Sequence, residues 1–408
     1  MGRLQQLDLA AGIVRKVRVN CLKRERPINF EDINIMEANN RSPIAVIGGG
    51  LNSAVGYAHF SAINLSNKFR IVAGAFSKTP QINKETSMAY RVPEAQVYAD
   101  YETLMLKERD NVSAVVILTP NNQHIDQITK ALRLGIPVIC EKALTSNCGE
   151  VEAIKGLADS SFISVVFNYL CYPMLKELRE IVRRGELGKI IQVQIEMQQE
   201  GYLRLKDGKP ILPQAWRLHD GVVPTISLDL GSHTYSIVKF LTDETPLEVI
   251  AVENRFGNFP DVVDDVNSII KYSNGMICNM WYSKSALGSR NGLKVRIYGT
   301  AGSAEWLQSD PEYLKMADNG GRLFTLDRSS DQCSTASIRR YNRFKVGHPA
   351  GYIEALANFY EDVWGDLERF KAGNHDRATF GLEESEECML LLEAIAKSAR
   401  SNCWTKIK

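Results

Sequence analysis

Several features that would assign the chain to a specialised class are missing from its sequence. No apolar run approaches the roughly eighteen residues that cross a bilayer. The N-terminus has no apolar segment ending in small residues, as an export signal would. The 49 basic and 48 acidic residues nearly cancel, so no positive field attracts nucleic acid. We therefore expect a cytoplasmic protein that binds neither a membrane nor nucleic acid.

Metal-site patterns are missing as well. None of the eight cysteines forms a Cys-x-x-Cys pair, and the six histidines are spread along the chain without ligand spacing. We predict no metal site, and we expect the cysteines to be reduced thiols, most of them in the core.

The length of 408 residues exceeds one ordinary core and predicts two domains. We expect residues 1–42 to form an N-terminal extension, either a partly disordered arm or a helix docked on the body. Among functional roles, an arm that contacts a neighbouring subunit is favoured. A membrane-surface helix is a weaker alternative, because the apolar stripe of this segment is short. We place one domain at 43–167, a second at 168–348, and C-terminal helices over 349–408 that pack back near the first domain.

Short apolar strands alternate with helical segments in the first domain. Continuous apolar strands of this kind are buried on both faces, which is typical of a doubly wound parallel sheet in an α/β protein. The predicted strands are Ile44–Ile47, Phe69–Phe76, Val112–Leu118, Ile136–Cys140 and Phe162–Phe167.

The pattern changes after residue 168 to long strands of alternating polarity. Ser273-Asn274-Gly275 separates two of them as a hairpin turn. Such a series predicts an open, mainly antiparallel sheet with one face packed on helices. Two helices, over Tyr352–Lys371 and Leu382–Ser398, are predicted to close the chain.

A glycine-rich loop follows the first strand. Gly48 and Gly50 match the first two glycines of Gly-x-Gly-x-x-Gly, but Ser53 takes the third place and the next glycine is Gly56. The loop is therefore longer than the standard one. The N–H groups at such a helix start can hold a pyrophosphate, so we predict a dinucleotide site. Its phosphate-binding residues would be Gly48, Gly49, Gly50, Asn52 and Ser53.

Two further strand ends belong to this predicted site. The second strand ends in Ser77 and Lys78 instead of the acid that usually holds the adenine ribose, so both NAD and NADP remain open as cofactors. Lys78 is equally explained as a surface turn residue. Thr119, Pro120 and Asn121 follow the third strand, where the nicotinamide ribose is expected. His124 also belongs to this group, with a place at the start of a helix favoured over catalysis.

Three ionisable residues are placed to do chemistry beside a nicotinamide. Glu141 and Lys142 end a buried strand, and Lys142 is predicted to lie in the cofactor crevice. Asp229 and His233 are four apart in a predicted helix over 227–240, which puts them on one helical face. A lysine, an acid and a histidine can move a proton while a hydride is transferred. A structural Asp–His pair is the alternative.

Together these motifs resemble the family of glucose–fructose oxidoreductase, inositol dehydrogenase and MocA, and in particular its sugar-dehydrogenase-like branch. The resemblance runs from about residue 43 into the C-terminal helices. The matching pieces are Gly48-Gly49-Gly50 with Gly56 and His59, Thr119-Pro120-Asn121, Glu141-Lys142, Asn168-Tyr169, Tyr172-Pro173, Ala215-Trp216-Arg217, Asp229 with His233, and Gly347-His348-Pro349.

The resemblance implies an N-terminal Rossmann domain and a C-terminal α/β domain with an open, mainly antiparallel sheet. It implies an NAD(P)-dependent oxidoreductase that acts on a hydroxyl of a sugar, sugar derivative or cyclitol. By the same resemblance Lys142 polarises the reacting oxygen and relays a proton, His233 is the acid/base, and Asp229 orients the histidine or the sugar. A homodimer or homotetramer through the C-terminal sheet is also implied.

The sequence departs from the family pattern at two places. Ala143 replaces the usual proline after Glu-Lys, and residues 218–225 are not glycine-rich. The second departure favours an unusual substrate. We expect Tyr169, Trp216, Arg217 and His219 to face it, with Arg217 and His219 binding a carboxylate, a phosphate or hydroxyls, or else forming surface pairs.

Two other functions are compatible with the same residues. One is a redox-neutral glycosidase or hydratase that uses bound NAD in a closed cycle. The other is a non-catalytic regulator that senses a dinucleotide, which the retained lysine, aspartate and histidine disfavour.

Overall fold

The computed structural model describes residues 41–158 and 161–408. All but the last two residues of the expected N-terminal extension lie outside the described residues, and what we expected of it stays a prediction. Across the two described ranges, no helix combines the length and apolar character needed to cross a membrane.

The first part of the described chain is built on a five-stranded sheet in which every neighbouring pair is parallel. Its strands are β1 Ser42–Gly48, β2 Phe69–Ala75, β3 Ala114–Leu118, β4 Val138–Glu141 and β5 Ile163–Val166. The helices between and after them are α1 Gly56–Ser66, α2 Pro80–Ala89, α3 Tyr101–Glu108, α4 His124–Arg133 and α5 Cys148–Ala158. Every residue of β3 is buried, as expected for a strand covered on both faces. The predicted doubly wound α/β fold is confirmed.

The strand order of this sheet creates a ligand crevice. The order is β2-β1-β3-β4-β5, so the chain reverses direction across the sheet between β1 and β3. Gly48 at the end of β1 pairs with Leu118 at the end of β3. Ligands of open α/β sheets bind outside the carboxyl ends of the strands at such a switch point.

The outer edge of β5 is covered by a segment from near the C-terminus. The Val165 N–H donates to the carbonyl oxygen of Phe380 at 2.9 Å. The Ser164 hydroxyl donates to Thr379 Oγ1 at 2.8 Å, across a sequence separation of 215 residues. The first sheet therefore depends on residues synthesised long after its own strands.

A second, larger sheet follows. Its strands are β6 Ile190–Gln198, β9 Pro246–Asn254, β10 Asp265–Tyr272, β11 Ile277–Ser283, β12 Lys294–Gly299, β13 Gly302–Leu307, β14 Leu314–Asp318, β15 Leu323–Leu326 and β16 Thr405–Lys406; β7 Leu205–Lys206 and β8 Lys209–Pro210 form a separate hairpin. The order is β15-β14-β13-β12-β6-β11-β10-β9-β16, and its pairs are antiparallel apart from β6 with β11. The predicted mainly antiparallel sheet is confirmed, and β10 and β11 are joined at the predicted turn by Gly275, whose φ is 87°.

Helices cover one face of the second sheet and link it to the first. They are α6 Pro173–Arg183, α7 Ser232–Thr242, α8 Tyr352–Lys371 and α9 Leu382–Ser401. Helix α9 packs on β9, and α7 packs on β6. Helix α8 instead packs on α1, where the Trp364 indole donates to Ser42 Oγ at 3.1 Å.

The other face of the second sheet carries apolar side chains that no helix of residues 41–158 or 161–408 covers. Val252 and Ile269 are 54% and 43% exposed. Ile269 stands opposite Ile250 across the β9–β10 pair, and Trp281 lies on the same open face in β11. We call these four residues the open-face patch; Asn267 and Asn279 stand among them on the same face.

Candidate active site

The glycine loop brings the first turn of α1 close to the end of β1. Gly48 and Gly49 have φ values of 77° and 70°, a conformation that favours glycine. A Cβ atom on Gly56 would lie 2.1 Å from the carbonyl oxygen of Gly49. Gly56 therefore permits the close helix–strand packing that the third glycine of the standard fingerprint provides. Helix α1 begins at Gly56, so the loop has the extended length that the sequence predicts.

Ser53 supports the same turn from within the loop. Its hydroxyl oxygen accepts the backbone N–H groups of Val55 and Gly56 at 3.3 and 3.2 Å. The result is a helix start at the switch point of a parallel sheet, which is a site suited to a pyrophosphate. The residues present therefore fit a dinucleotide.

One cavity of about 500 Å³ extends from the glycine loop to the segments of the second part of the chain that carry Trp216, Arg217 and Asp229. Most of the predicted cofactor residues line it, and so do several predicted catalytic and substrate residues. Those on its wall are Gly48, Gly49, Gly50, Asn52, Ser53, Ser77, Lys78, Thr119, Pro120, Asn121, Glu141, Lys142, Trp216, Arg217 and Asp229. The structure thus brings the glycine loop and the Lys142–Asp229 region into one space.

The wall beside the end of β2 carries charges of both signs. Ser77 Oγ accepts the Thr79 N–H at 3.1 Å, and Lys78 is exposed. Asp100 and Glu102, at the start of α3, also line the cavity, and sequence reasoning did not single them out. Asp100 is already engaged as the N-cap of α3, accepting the Thr103 N–H at 2.7 Å.

Lys142 is bound to Asp229 across a separation of 87 residues. Its Nζ donates to Asp229 Oδ1 at 2.9 Å and to the Asp229 carbonyl oxygen at 2.7 Å. The peptide bond between Lys142 and Ala143 is cis. Lys142 is therefore held at the cavity wall by two contacts to one residue.

Asp229 has two further cationic partners. Its Oδ2 accepts from Lys284 Nζ at 2.6 Å and also from Arg217 Nη1. Burial alone would raise the pKa of Asp229, but the charges of Lys142, Lys284 and Arg217 outweigh burial and hold that pKa well below its usual value. Asp229 is therefore an ionised carboxylate shared by three cations.

Lys284 is the main site residue that sequence reasoning missed. It follows β11, and its side chain is only 7% exposed. The side chains of Cys278, Met280 and Tyr282 point inward along this strand, and Lys284 continues the alternation by two. This alternation could have identified Lys284 from the sequence, because a lysine at an inward-facing strand position needs a buried partner.

The backbone around Asp229 differs from the predicted regular helix. Residues Ser227–Gly231 form a π-helical turn, and α7 begins only at Ser232. The prediction of an α-helix from residue 227 is therefore wrong in its first turn. Such turns are frequent at functional sites. A Cβ on Gly231 would lie 2.9 Å from Leu392 Cδ2, so this side chain would have to shift.

His233 is buried next to Lys142 but is not hydrogen-bonded to Asp229. Its ring stands edge-on to Tyr169, with ring centroids 4.7 Å apart. Its Nδ1 is buried and has no hydrogen-bond partner among the described residues. Burial and the Lys142 charge hold the pKa of His233 well below its usual value. The ring is therefore neutral at neutral pH.

The remaining predicted residues lie behind or beside the cavity wall. His124 is buried, and its ring nitrogens lie 2.9 Å from the carbonyl oxygens of Thr119 and Ala143, so it links the two loops from behind. The Tyr169 hydroxyl oxygen accepts from Asn291 at 3.1 Å. His219 contributes a backbone carbonyl that accepts from Thr225 and does not line the cavity.

A second network supports Glu141. The His59 ring, on α1, lies 2.9 Å from Glu141 Oε1 through Nε2 and 2.7 Å from the Tyr360 hydroxyl through Nδ1. Glu141 Oε2 also accepts the Lys142 N–H at 3.1 Å. The helix after the glycine loop, the strand end that carries Lys142 and helix α8 are therefore joined through one imidazole.

Comparison with known proteins places this geometry in a family. Residues 43–168 match a model described as an oxidoreductase family with an NAD-binding Rossmann fold, and residues 175–305 match the GFO/IDH/MocA C-terminal domain. Among curated proteins, the uncharacterized oxidoreductase YfiI of Bacillus subtilis is 29% identical over 331 residues, which are 78% of this chain and 83% of that protein. Levoglucosan dehydrogenase of Pseudarthrobacter phenanthrenivorans is 23% identical over 67% of this chain and 75% of its own length.

Solved structures agree with these matches. An inositol dehydrogenase homolog from Azotobacter vinelandii, complexed with NADH and myo-inositol, superposes with a TM-score of 0.83 and 25% identity, covering 90% of this chain and 98% of that one. With both domains matched and the cofactor loop and Lys142–Asp229 pair in one cavity, the chain belongs to the glucose–fructose oxidoreductase, inositol dehydrogenase and MocA family and is an oxidoreductase with an NAD-binding Rossmann domain.

Proposed function

We propose that this protein is a dehydrogenase or reductase that acts on a hydroxyl or keto group of a sugar, a sugar derivative or a cyclitol. The observation that supports this most directly is the cavity shared by the glycine loop and Lys142 with Asp229. Relatives named inositol 2-dehydrogenase and levoglucosan dehydrogenase fit the same substrate class.

The cofactor would be held by three loops. We assign the pyrophosphate to Gly48–Gly50 with Asn52 and Ser53, because these residues surround the start of α1. We assign the adenosine side to Ser77 and Lys78. Thr119, Pro120 and Asn121 would hold the nicotinamide ribose, with His124 supporting their loop from behind. When bound, the nicotinamide supplies the hydride acceptor or donor.

The protein's own contribution would be to hold the reacting oxygen and to move its proton. We propose that the Lys142 ammonium donates to that oxygen and relays the proton. The neutral ring of His233 has an unpartnered Nδ1 and would serve as the acid/base. Asp229 would fix Lys142 in place, because its carboxylate is itself held by Lys284 and Arg217. Trp216 would shape the substrate side from the cavity wall, and Tyr169 would support it from behind through its contact with His233.

The experiment is to incubate the protein with NAD or NADP and a panel of sugars and cyclitols, and to follow formation of reduced cofactor. One reduced cofactor per substrate oxidised is expected, and the two dinucleotides compared in this assay give the cofactor preference. If the protein binds the dinucleotide and converts a substrate but no reduced cofactor accumulates, the proposal is contradicted. That result would instead indicate a redox-neutral reaction. Binding without any conversion would indicate a regulator.

We further propose that the open-face patch forms a subunit interface in a homodimer or homotetramer. Ile250, Val252 and Ile269 are neighbours across β9 and β10, and with Trp281 they leave apolar side chains partly exposed on the sheet face, where exposed apolar surface is typical of protein contacts. The domain limits 43–167, 168–348 and 349–408 and the cytoplasmic location stay predictions from the sequence.

A further inference from the structure

Positive charge exceeds negative charge around the proposed reaction centre. Lys142, Lys284 and Arg217 all contact Asp229. Glu141 is the other carboxylate on this part of the cavity wall, and it is bonded to His59 and to the Lys142 N–H. Three cations therefore stand against two carboxylates. The oxidised nicotinamide ring, when bound, adds another positive charge.

Other carboxylates of this region are committed elsewhere. Asp220 accepts the backbone N–H groups of Thr225 and Val263 at 2.8 Å each. Asp264 accepts the N–H groups of Phe256 and Gly257 at 3.0 and 2.6 Å. Neither contacts Arg217 or Lys284 through a salt bridge within the described ranges. Both acids are therefore held by neutral backbone donors and form no ion pair with Lys284 or Arg217.

Arg217 has hydrogen-bond donors that its contact with Asp229 does not use. A guanidinium has five N–H donors. Of its three nitrogens, Nη1 donates to Asp229, and no other described side chain or carbonyl accepts from the group. Its guanidinium carbon lies 4.3 Å from the centroid of the Trp216 ring, so the group is positioned over the indole. The side chain is 22% exposed and lines the cavity.

The three cations that contact Asp229 have different access to a ligand. Lys284 is buried and does not line the cavity, so it contributes charge without offering a contact. Lys142 is the proposed partner of the reacting oxygen. Arg217 is left to bind a second group on the same substrate, and a planar guanidinium fork pairs best with a carboxylate or a phosphate.

We propose, resting on the function proposed above, that the substrate carries an anionic group, a carboxylate or a phosphate, which binds to Arg217 while the reacting oxygen binds to Lys142. The substrate class is therefore an acidic or phosphorylated sugar or cyclitol and not a neutral one. This anion would offset the positive charge that Lys142, Lys284, Arg217 and an oxidised nicotinamide bring together.

The test is a binding measurement on the full-length protein loaded with NADH, which cannot oxidise a further alcohol. Isothermal titration calorimetry compares D-glucose, D-glucuronate and D-glucose 6-phosphate, which share a ring and differ in the group at one end. At least one of the two anions is expected to bind about tenfold or more tightly than glucose, as charge-assisted hydrogen bonds imply. Raising the ionic strength should weaken the binding of the anion but not the binding of glucose. The better anion distinguishes a carboxylate from a phosphate.

Variants assign the preference to one side chain. Arg217→Gln should lose the preference for the anion over glucose, and Arg217→Lys should retain part of it. Arg322→Gln is the matched control, because it removes an arginine that is 64% exposed and paired with Asp318 on the β14–β15 hairpin. The ratio of two affinities is insensitive to a general loss of folded protein, and thermal unfolding checks each variant.

The outcomes separate this inference from the proposed function. Equal or tighter binding of glucose, or an anion preference that survives Arg217→Gln, overturns the inference. Oxidation of neutral sugars in preference to both anions overturns it too, while leaving the dehydrogenase intact. Anion preference that depends on Arg217, without reduced cofactor from any substrate, supports the inference and contradicts only the reaction.

Discussion

Replacing Lys142 with alanine tests the proposed reaction at its centre. The Lys142 Nζ makes contacts of 2.7 and 2.9 Å to Asp229, and its side chain is 12% exposed. Loss of one general acid–base group typically lowers the rate by about 100- to 10,000-fold. At about 1.4 kcal/mol for each factor of ten, this is roughly 3 to 5 kcal/mol of transition-state stabilisation. We expect kcat to fall by a factor in this range.

The same variant should fold and bind the dinucleotide. Asp229 keeps Lys284 at 2.6 Å and keeps Arg217, so no buried charge is left unpaired. The lost contacts should lower the free energy of unfolding by about 1 to 3 kcal/mol. The assay is the rate of NADH formation at saturating substrate, together with a fluorescence titration for the Kd of NADH.

A matched variant separates proton transfer from charge balance. Lys284→Met also removes one positive partner of Asp229, but from a buried position off the cavity wall. It should lower kcat less than Lys142→Ala does. A Lys142→Ala protein that turns over at the wild-type rate would refute the mechanism. Equal losses in both variants would show that the charge of the cluster, and not the Lys142 amine, governs the rate.

Three further outcomes are expected. Gly56→Ala should weaken NADH binding and lower the unfolding free energy by about 1 to 3 kcal/mol, because its Cβ would meet the Gly49 carbonyl oxygen at 2.1 Å. Ile269→Asp should shift the protein to a smaller species in analytical ultracentrifugation, because it puts a charge into the open-face patch. When the pH is lowered from about 7 to about 5, the unfolding free energy of the wild type should fall by up to about 2 kcal/mol more than that of His233→Gln. The reason is that His233 takes up a proton in the unfolded chain but stays neutral when it is buried in the folded protein.

Each of these has its own control. Gly156→Ala lies in α5 with nothing within 4 Å of the new Cβ, and it should leave NADH binding unchanged. Leu323→Asp changes a residue that is 82% exposed at the sheet edge and should leave the sedimentation coefficient unchanged. Parallel urea-unfolding curves for wild type and His233→Gln at every pH would contradict the neutral state assigned to that ring.

Much of the fold was predictable because its signals are local. The apolar runs of β1 and β3 and the glycines after β1 are read directly from neighbouring residues. Gly56 was visible as the next glycine, although its contact with Gly49 needed the structure. Lys142 and Asp229 are 87 residues apart, and their place in a common site was expected from a family resemblance and from the end of β4. The direct contact between them was not predicted.

The features that could not be predicted from the sequence depend mostly on contacts between distant residues. The π-helical turn at Ser227–Gly231 has no composition signal, and it separates Asp229 from the regular helix that carries His233. Strands β13, β14 and β15 were not predicted. Glu177 is another example: it lies on the buried face of α6 and accepts the N–H groups of Thr335 and Ala336 at 2.7 and 2.8 Å, which fixes a segment that looks irregular in sequence. Such long-range contacts can be seen only in the folded structure.

The cover on the edge of β5 has a consequence for the order of folding during synthesis. Val165 and Ser164 leave the ribosome long before Phe380 and Thr379, which are to bond with them. At typical synthesis rates the interval is roughly ten to forty seconds. Throughout that time the nascent nucleotide-binding sheet has an open strand edge, and α1 lacks its partner α8. We expect the first sheet to be completed among the last steps of folding. Chaperones should therefore matter most between the synthesis of β5 and that of the segment carrying Phe380.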